Sequence, residues 1–395
     1  MRNQMTLFPK LLLLLLCTLT TIGVQAQGMD FFHGSWEEAK AMAKKENKHI
    51  VVDAYASWCG PCKKMARTTF KNTVVGEFYN ENYVNFKIDM EKGEGPSLKS
   101  VFMVRAFPTI IYYNPEGKEV RRFKGFRPAE DFLLEGKKAL VNKEELAEMK
   151  KTYEEGKKDP DFLKKYIEFL SYADQPKEEV VNTYLKTQSK KQLKNEKNMQ
   201  LFYELADGIE DPFFQIMMEN QEIYQKQFGK EESVKHFRNI AIKSFQKSLE
   251  KKDENLFKEV LGVVEKLDFE RKDLLLLQME LEYYKKMQDW EKYAETAYTK
   301  IDDIEIDNSG FLNDVAWRFY LNIEDKAKLE KAEDWSKKSV ALKSEYHNND
   351  TLAAILFKLG KIEEGHKVAL GAIEMAKARR QNFKGTQDLI DKYVK

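Results

Sequence analysis

Cys59 and Cys62 stand two residues apart in Trp58-Cys59-Gly60-Pro61-Cys62-Lys63, directly after the apolar run Ile50-Val51-Val52-Asp53-Ala54-Tyr55-Ala56. This junction constrains the fold more than any other feature of the chain. The run is apolar on both faces apart from Asp53, as a central strand of a covered sheet would be, and the residues from Cys59 to about Phe70 read as a helix. A sulfur seated where a helix begins meets unpaired N–H groups and the positive end of the helix dipole, both of which favour a thiolate. In such settings a thiol pKa falls from about 8.5 to roughly 3.5–7.5. The second sulfur, one turn inward and shielded, can attack a mixed disulfide formed at the first, so release of a substrate is intramolecular.

The remaining cysteine count favours chemistry over scaffolding. Cys17 is the one other cysteine, and it lies in an N-terminal segment that reads as an export signal: Arg2 and Lys10, the apolar run Leu11 to Leu16, and Val24-Gln25-Ala26 before a cut after Ala26. The run is too short to span a bilayer. Leu16 stands where a lipoprotein signal would want a small residue, so simple cleavage is expected; the alternative is a short apolar helix that stays attached. Without residues 1–26 the chain keeps one close cysteine pair, which closes too small a loop to act as a structural staple. Structural zinc needs four ligands and no second pair exists. The five histidines, His33, His49, His236, His347 and His366, are scattered without ligand spacing. No metal and no cofactor beyond a redox-active Cys59–Cys62 disulfide is expected.

Charge is balanced. Arg2 and Lys10 are the only charges in the signal, so its removal takes the net charge from +1 to −1. Lysine and glutamate are interspersed, as on solvated helix faces, and nothing points to nucleic acid.

Strand and helix signals alternate up to about residue 142. Ser35-Trp36-Glu37-Glu38 is a capping box opening a helix toward Lys48. Tyr83 to Asp89 reads as a strand, Pro96 to Val104 as a helix, and Thr109 to Tyr113 as a strand. Asn114-Pro115-Glu116-Gly117 supplies turn residues, Lys118 to Phe126 returns as an edge strand, and Pro128 starts a helix to about Leu140. The pattern predicts a mixed sheet with helices on both sides.

These residues strongly resemble the thioredoxin family, whose active-site motif is Trp58-Cys59-Gly60-Pro61-Cys62-Lys63. Asp53 matches the family's buried carboxylate, Phe107-Pro108-Thr109 the loop whose proline is cis and faces the cysteines, and Gly125 the glycine of the substrate groove. The resemblance covers about residues 30 to 142 and implies an α/β thioredoxin fold, a central mixed sheet flanked by helices. It implies that Cys59 is the nucleophile, Cys62 the resolving thiol, and Asp53 the proton acceptor that helps Cys62 ionise. Trp58, Gly60, Pro61, Phe107, Pro108 and Gly125 would form the substrate-binding surface. A lone charge in an apolar strand is costly to bury, so the pKa of Asp53 is expected to rise; the alternative is a carboxylate capping a local turn. Many relatives set a lysine beside this carboxylate; here Asn85 aligns at that position, and Lys87 is left without a role. Gly-Pro between the cysteines is the pairing of family members that act as reductants, so reduction is the expected direction.

From residue 143 to 395 the signals are helical almost throughout, broken by Pro160, Pro176 and Pro212. Ala332, Trp335 and Ser339 recur 33 residues later as Gly365, Val368 and Ala372. The stretch from about 311 to 377 resembles tetratricopeptide repeats, with Gly360 at the turn between paired helices. The expected organisation is a signal peptide at 1–26, a thioredoxin-like domain at 27–142 and an all-α helical-repeat domain at 143–395. Aromatics such as Tyr283, Tyr284, Trp290, Tyr293, Trp317 and Trp335 fall at helical intervals and read as core.

Two functional classes follow. One is an exported thiol-disulfide oxidoreductase, periplasmic or extracellular, that reduces disulfide-containing exported proteins and draws electrons from a membrane thiol donor, its helices positioning clients. The other is a helical-repeat scaffold that binds peptides or proteins, or a disulfide isomerase or chaperone, whose thioredoxin-like domain mainly docks clients.

Overall fold

The computed structural model describes residues 28–394, so the expected signal peptide lies outside the described residues. Five strands form one mixed sheet: β1 (Phe31–Phe32), β2 (His49–Tyr55), β3 (Tyr83–Asp89), β4 (Thr109–Tyr113) and β5 (Glu119–Lys124), in the order β1-β3-β2-β4-β5. β1, β3 and β2 run parallel, and β4 and β5 are antiparallel additions. Helices α1 (Trp36–Glu46), α2 (Gly60–Arg67), α3 (Thr73–Asn82), α4 (Gly95–Val101) and α5 (Ala129–Ala139) cover both faces.

Alternation along the strands assigns each side chain its layer. Ile50, Val52 and Ala54 of β2, with Val84, Phe86, Ile111 and Tyr113, pack against Trp36, Ala39 and Ala43 of α1 and Phe102 after α4. Val51, Tyr83, Ile110 and Tyr112 face the other way, onto Met65 of α2, Val75 and Tyr79 of α3 and Phe132 of α5. The capping box that opens α1 is formed, with Ser35 accepting from the Glu38 N–H and Glu38 accepting from the Ser35 N–H.

The second layer is closed by phenols. Tyr79 OH donates to the Phe132 carbonyl at 2.6 Å and shares a 2.7 Å bond with Tyr112 OH, while Tyr83 OH donates to the Gly136 carbonyl at 2.6 Å. A Cβ at Gly136 would stand 2.6 Å from Tyr79 Oη, so the absence of a side chain there lets α5 lie close against α3.

After α5 the described chain is helical, with fifteen α-helices from Lys143–Glu154 to Lys384–Tyr393. The expected fold class, an α/β thioredoxin fold followed by an all-α region, is the one observed. Two compact units divide between Tyr184 and Leu185. The change in composition at residue 142 falls within the first unit, which includes the helices Lys143–Glu154 and Pro160–Tyr172.

In the second unit, the helices Ser309–Asn322, Lys326–Leu342, Tyr346–Lys358 and Ile362–Ala378 stack on one another. Small residues sit where they touch: Ala332, Ala353, Ala369 and Ala372 are fully buried. A Cβ at Gly365 would stand 2.9 Å from the Phe357 ring, so glycine lets these two helices meet closely. Gly360, at φ +78°, makes the turn between them. Tyr283, Tyr293 and Trp335 are buried, as expected of core aromatics. Among the described residues no helix is long and apolar enough to cross a membrane.

Candidate active site

The cysteines lie where β2 hands over to α2. Cys59 is the N-cap of α2, with extended backbone, and its Sγ accepts the Cys62 N–H at 3.2 Å, so the sulfur fills a donor that the helix cannot satisfy itself. Pro61 sits in the first turn, where a missing N–H costs nothing. Lys64 and Arg67 occupy the last turn, complementing the dipole. α2 ends at Arg67 and a single 3-10 turn, Thr69–Lys71, takes up the rest of the stretch expected as helix.

Cys59 and Cys62 are joined as a disulfide, so the structure shows the oxidised form. Both are buried, packed against Tyr55, Ala56 and Phe107. The flanking Trp58 is 66 % exposed, its ring edge-to-face with Phe107 at 5.9 Å between centroids. The Trp58 indole N–H donates to Glu91 Oε2 at 2.8 Å.

The Phe107–Pro108 peptide bond is cis. It places Phe107 against the cysteines, and the Gly125 N–H donates to the Pro108 carbonyl at 2.8 Å, tying the end of β5 to this loop. Gly125 holds φ +86°, and no atom lies within 4 Å of where a Cβ would stand, so its requirement is conformational. Trp58, Gly60, Pro61, Phe107, Pro108 and Gly125 thus come from three separate segments to the surroundings of one disulfide.

Asp53 lies in the middle of β2, 3 % exposed, on the face that carries Val51 and is covered by α2. Lys87 Nζ approaches its Oδ2 at 3.2 Å, while Oδ1 has no hydrogen-bond partner among the described residues. Burial pushes the Asp53 pKa up, and the charge and hydrogen bond of Lys87 only partly offset it. The expected upward direction is the one found.

The lysine assignment needs correction. Asp53 pairs with Lys87 across the parallel β2–β3 register, whereas Asn85 stands opposite Val51. Asn85 instead donates to the Asp30 carbonyl at 3.0 Å and to Asn80 Oδ1 at 2.9 Å, fastening β1 to α3. Both residues lie on the same strand face two positions apart, so alternation alone could not choose between them; the register does. The Lys87 ammonium also lies 4.8 to 5.3 Å from the ring centroids of Tyr55, Phe31 and Phe70. Glu91, Lys64 and Lys99 are further site neighbours that motif reading did not single out. Lys64 Nζ lies 4.2 Å from the Phe126 ring centroid, and Lys99 Nζ lies 5.2 Å from that of Phe107.

Residues 36–140 match the model of a thioredoxin-like domain family. Thioredoxin-1 of Drosophila melanogaster is 35% identical over 95 residues, which are 24% of this chain and 80% of the relative. The thiol:disulfide interchange protein DsbD of Pseudoalteromonas atlantica is 31% identical over 109 residues, 27% of this chain but 18% of the relative's length. A protein from Bacteroides thetaiotaomicron described as a disulphide-isomerase has a solution structure that aligns at 38% identity and a TM-score of 0.28, over 30% of this chain and 98% of that one. With its disulfide at a helix N-terminus and 35% identity over 80% of the length of a thioredoxin, the chain belongs to the thioredoxin family of oxidoreductases.

Proposed function

We propose that this chain is an exported reductase of protein disulfides. The observation that carries the reading is the disulfide at the N-terminus of α2 packed against the cis-Pro108 loop, with an under-paired carboxylate, Asp53, buried in the strand that leads to it. In the reduced protein the Cys59 thiolate attacks one sulfur of a client disulfide, forming a mixed disulfide and releasing the first client thiolate. Cys62 then gives its proton to Asp53 and attacks Cys59 Sγ. This forms the Cys59–Cys62 bond seen in the structure and expels the second client thiolate. Two electrons pass from the protein dithiol to the client, and its two thiolates take up the two protons released. A dithiol donor on the membrane returns the electrons and restores the pair.

Gly60-Pro61 between the cysteines supports the reducing direction through the family resemblance, since the same exchange runs either way according to relative potentials. Export rests on the reading of residues 1–26, and N-terminal sequencing of the secreted protein should begin at Gln27. The DsbD relative supports a thiol-disulfide interchange role by its name alone, because the chain spans less than a fifth of its length.

The decisive experiment is a trap. With Cys62→Ala the resolving step is lost, so mixed disulfides at Cys59 should accumulate and identify clients; wild type with a dithiol should speed insulin reduction and Cys59→Ser should not. A wild type that leaves insulin unreduced sinks the reading.

A second reading, a peptide-binding scaffold or an isomerase or chaperone, is favoured by the stacked helices around Gly360 and Gly365. Small buried residues at the helix contacts, Ala332, Ala353, Gly365, Ala369 and Ala372, support tetratricopeptide-like repeats over about 311–377. It would be supported if the chain bound unfolded polypeptide equally well with both cysteines replaced by serine.

A further inference from the structure

Three segments border the disulfide: 58–64 from the start of α2, 99–107 leading to Phe107 against the cysteines, and 124–127, tied to this loop by the Gly125–Pro108 hydrogen bond. Between them they carry Lys63, Lys64, Lys99, Arg105, Lys124 and Arg127 and no carboxylate at all, in a chain whose 66 Lys and Arg are matched by 65 Asp and Glu. Among the described residues none of the six cations forms an ion pair. Many other lysines do: Lys138 meets Asp174, Lys165 meets Glu145, and Lys92 meets Asp89.

Three of the six are placed by aromatic rings; the Arg127 guanidinium lies 5.0 Å from the Phe123 ring centroid. Lys64 Nζ stands over Phe126, next to Gly125, and Lys99 Nζ stands over Phe107, which touches the cysteines. A ring face attracts an ammonium but fills none of its hydrogen bonds, so each head group is positioned and still open to a carboxylate. Glu91, a carboxylate beside this surface, is taken up by the Trp58 indole N–H.

We infer that the site selects clients whose disulfide is flanked by acidic residues, and that Lys64 and Lys99 are the positioning cations on the two sides of the groove. The inference rests on the reductase reading above and adds its substrate class. The occupant is an extended segment carrying a cystine sulfur to Cys59, with Asp or Glu on either side meeting the two ammonium groups. Charges at the rim of a binding surface act chiefly on encounter and register. Selection should therefore be seen in the rate of mixed-disulfide formation and should fade with salt.

The test uses reduced full-length protein and short peptide disulfides, identical except for Glu, Gln or Lys on both sides of the cysteine. Single-turnover reduction rates are divided by the rates with dithiothreitol, which removes the intrinsic reactivity of each peptide. At low salt the Glu peptide should react on the order of tenfold faster than the Lys peptide. The ratio should approach one near 1 M salt, where the screening length is about 3 Å. Lys64→Glu combined with Lys99→Glu should reverse the order.

Equal normalised rates for peptides that are all reduced would overturn the charge selection and leave the reductase standing. A preference that survives the double reversal would overturn the assignment to Lys64 and Lys99. No reduction of any peptide would remove the reductase reading and this inference with it.

Discussion

Two carboxylates, one in each compact unit, are both shielded from solvent and oppositely poised. Asp53 and Glu333 are each 3 % exposed. Asp53 has one lysine at 3.2 Å and an oxygen with no partner among the described residues, and burial leaves its pKa raised. Around Glu333, burial also pushes upward, but Lys337 and Lys361, both at 2.7 Å, outweigh it and hold the carboxyl below its ordinary range. The difference lies in the number of partners and in depth: Asp53 is enclosed within the sheet domain, whereas Glu333 lies nearer the surface. An over-supplied carboxylate is a fixed charge that pins helices together, whereas an under-supplied one sits closer to giving and taking a proton. Burial by itself therefore does not mark a functional acid.

The sharpest break of this comparison is to strip Glu333. Lys337→Met with Lys361→Met leaves its charge buried and unpaired, and should cost about 3 kcal/mol in urea unfolding at pH 7. A carboxyl with a depressed folded pKa stabilises above its ordinary value and loses that contribution as pH falls through the folded pKa. Repeating the measurement below pH 4 should accordingly shrink the gap between variant and wild type. Insulin reduction should be untouched; a loss of activity would break the separation of roles.

Asp53→Asn removes the proposed proton acceptor and should slow resolution of the mixed disulfide by about 10²-fold at neutral pH, read by quenched-flow. Its stability effect has the opposite sign. A carboxyl with a raised folded pKa favours the fold at low pH and loses that contribution as pH rises through the folded value. Melting of the Asn variant should thus exceed that of wild type by a few degrees at pH 8 and converge with it near pH 4. Lys87→Met should have the mildest effect. Without the ammonium the Asp53 pKa climbs further, so the acid limb of the resolution-rate profile should move to higher pH. A profile left in place would mean that Lys87 serves packing against Tyr55, Phe31 and Phe70 alone.

Much of the site was legible because it is written in local signals. β3 and β4 span the ranges expected, Ser35 and Glu38 form their box, and the Phe107–Pro108 bond is cis with Phe107 against the cysteines. Other features depend on contacts between distant segments. β1 is two residues long, too short for any periodicity, and is held by pairing to β3. α3 carries little amphipathic pattern although Asn72 caps it. Lys87 needed a register, and β2 is set one residue earlier than its apolar run because His49 pairs with Tyr83. The cations around the groove are scattered through a charge-balanced sequence and gather only when three distant segments converge.

The phenols of Tyr79, Tyr83 and Tyr112, whose pKa values burial drives upward, give the molecule an optical gauge. Surface tyrosines ionise near pH 10 and absorb at longer wavelength once they do. These three stay spectroscopically silent in alkali until the seam between sheet and helix parts, so one ultraviolet titration would record first the outer skin of the protein and then the yielding of its interior.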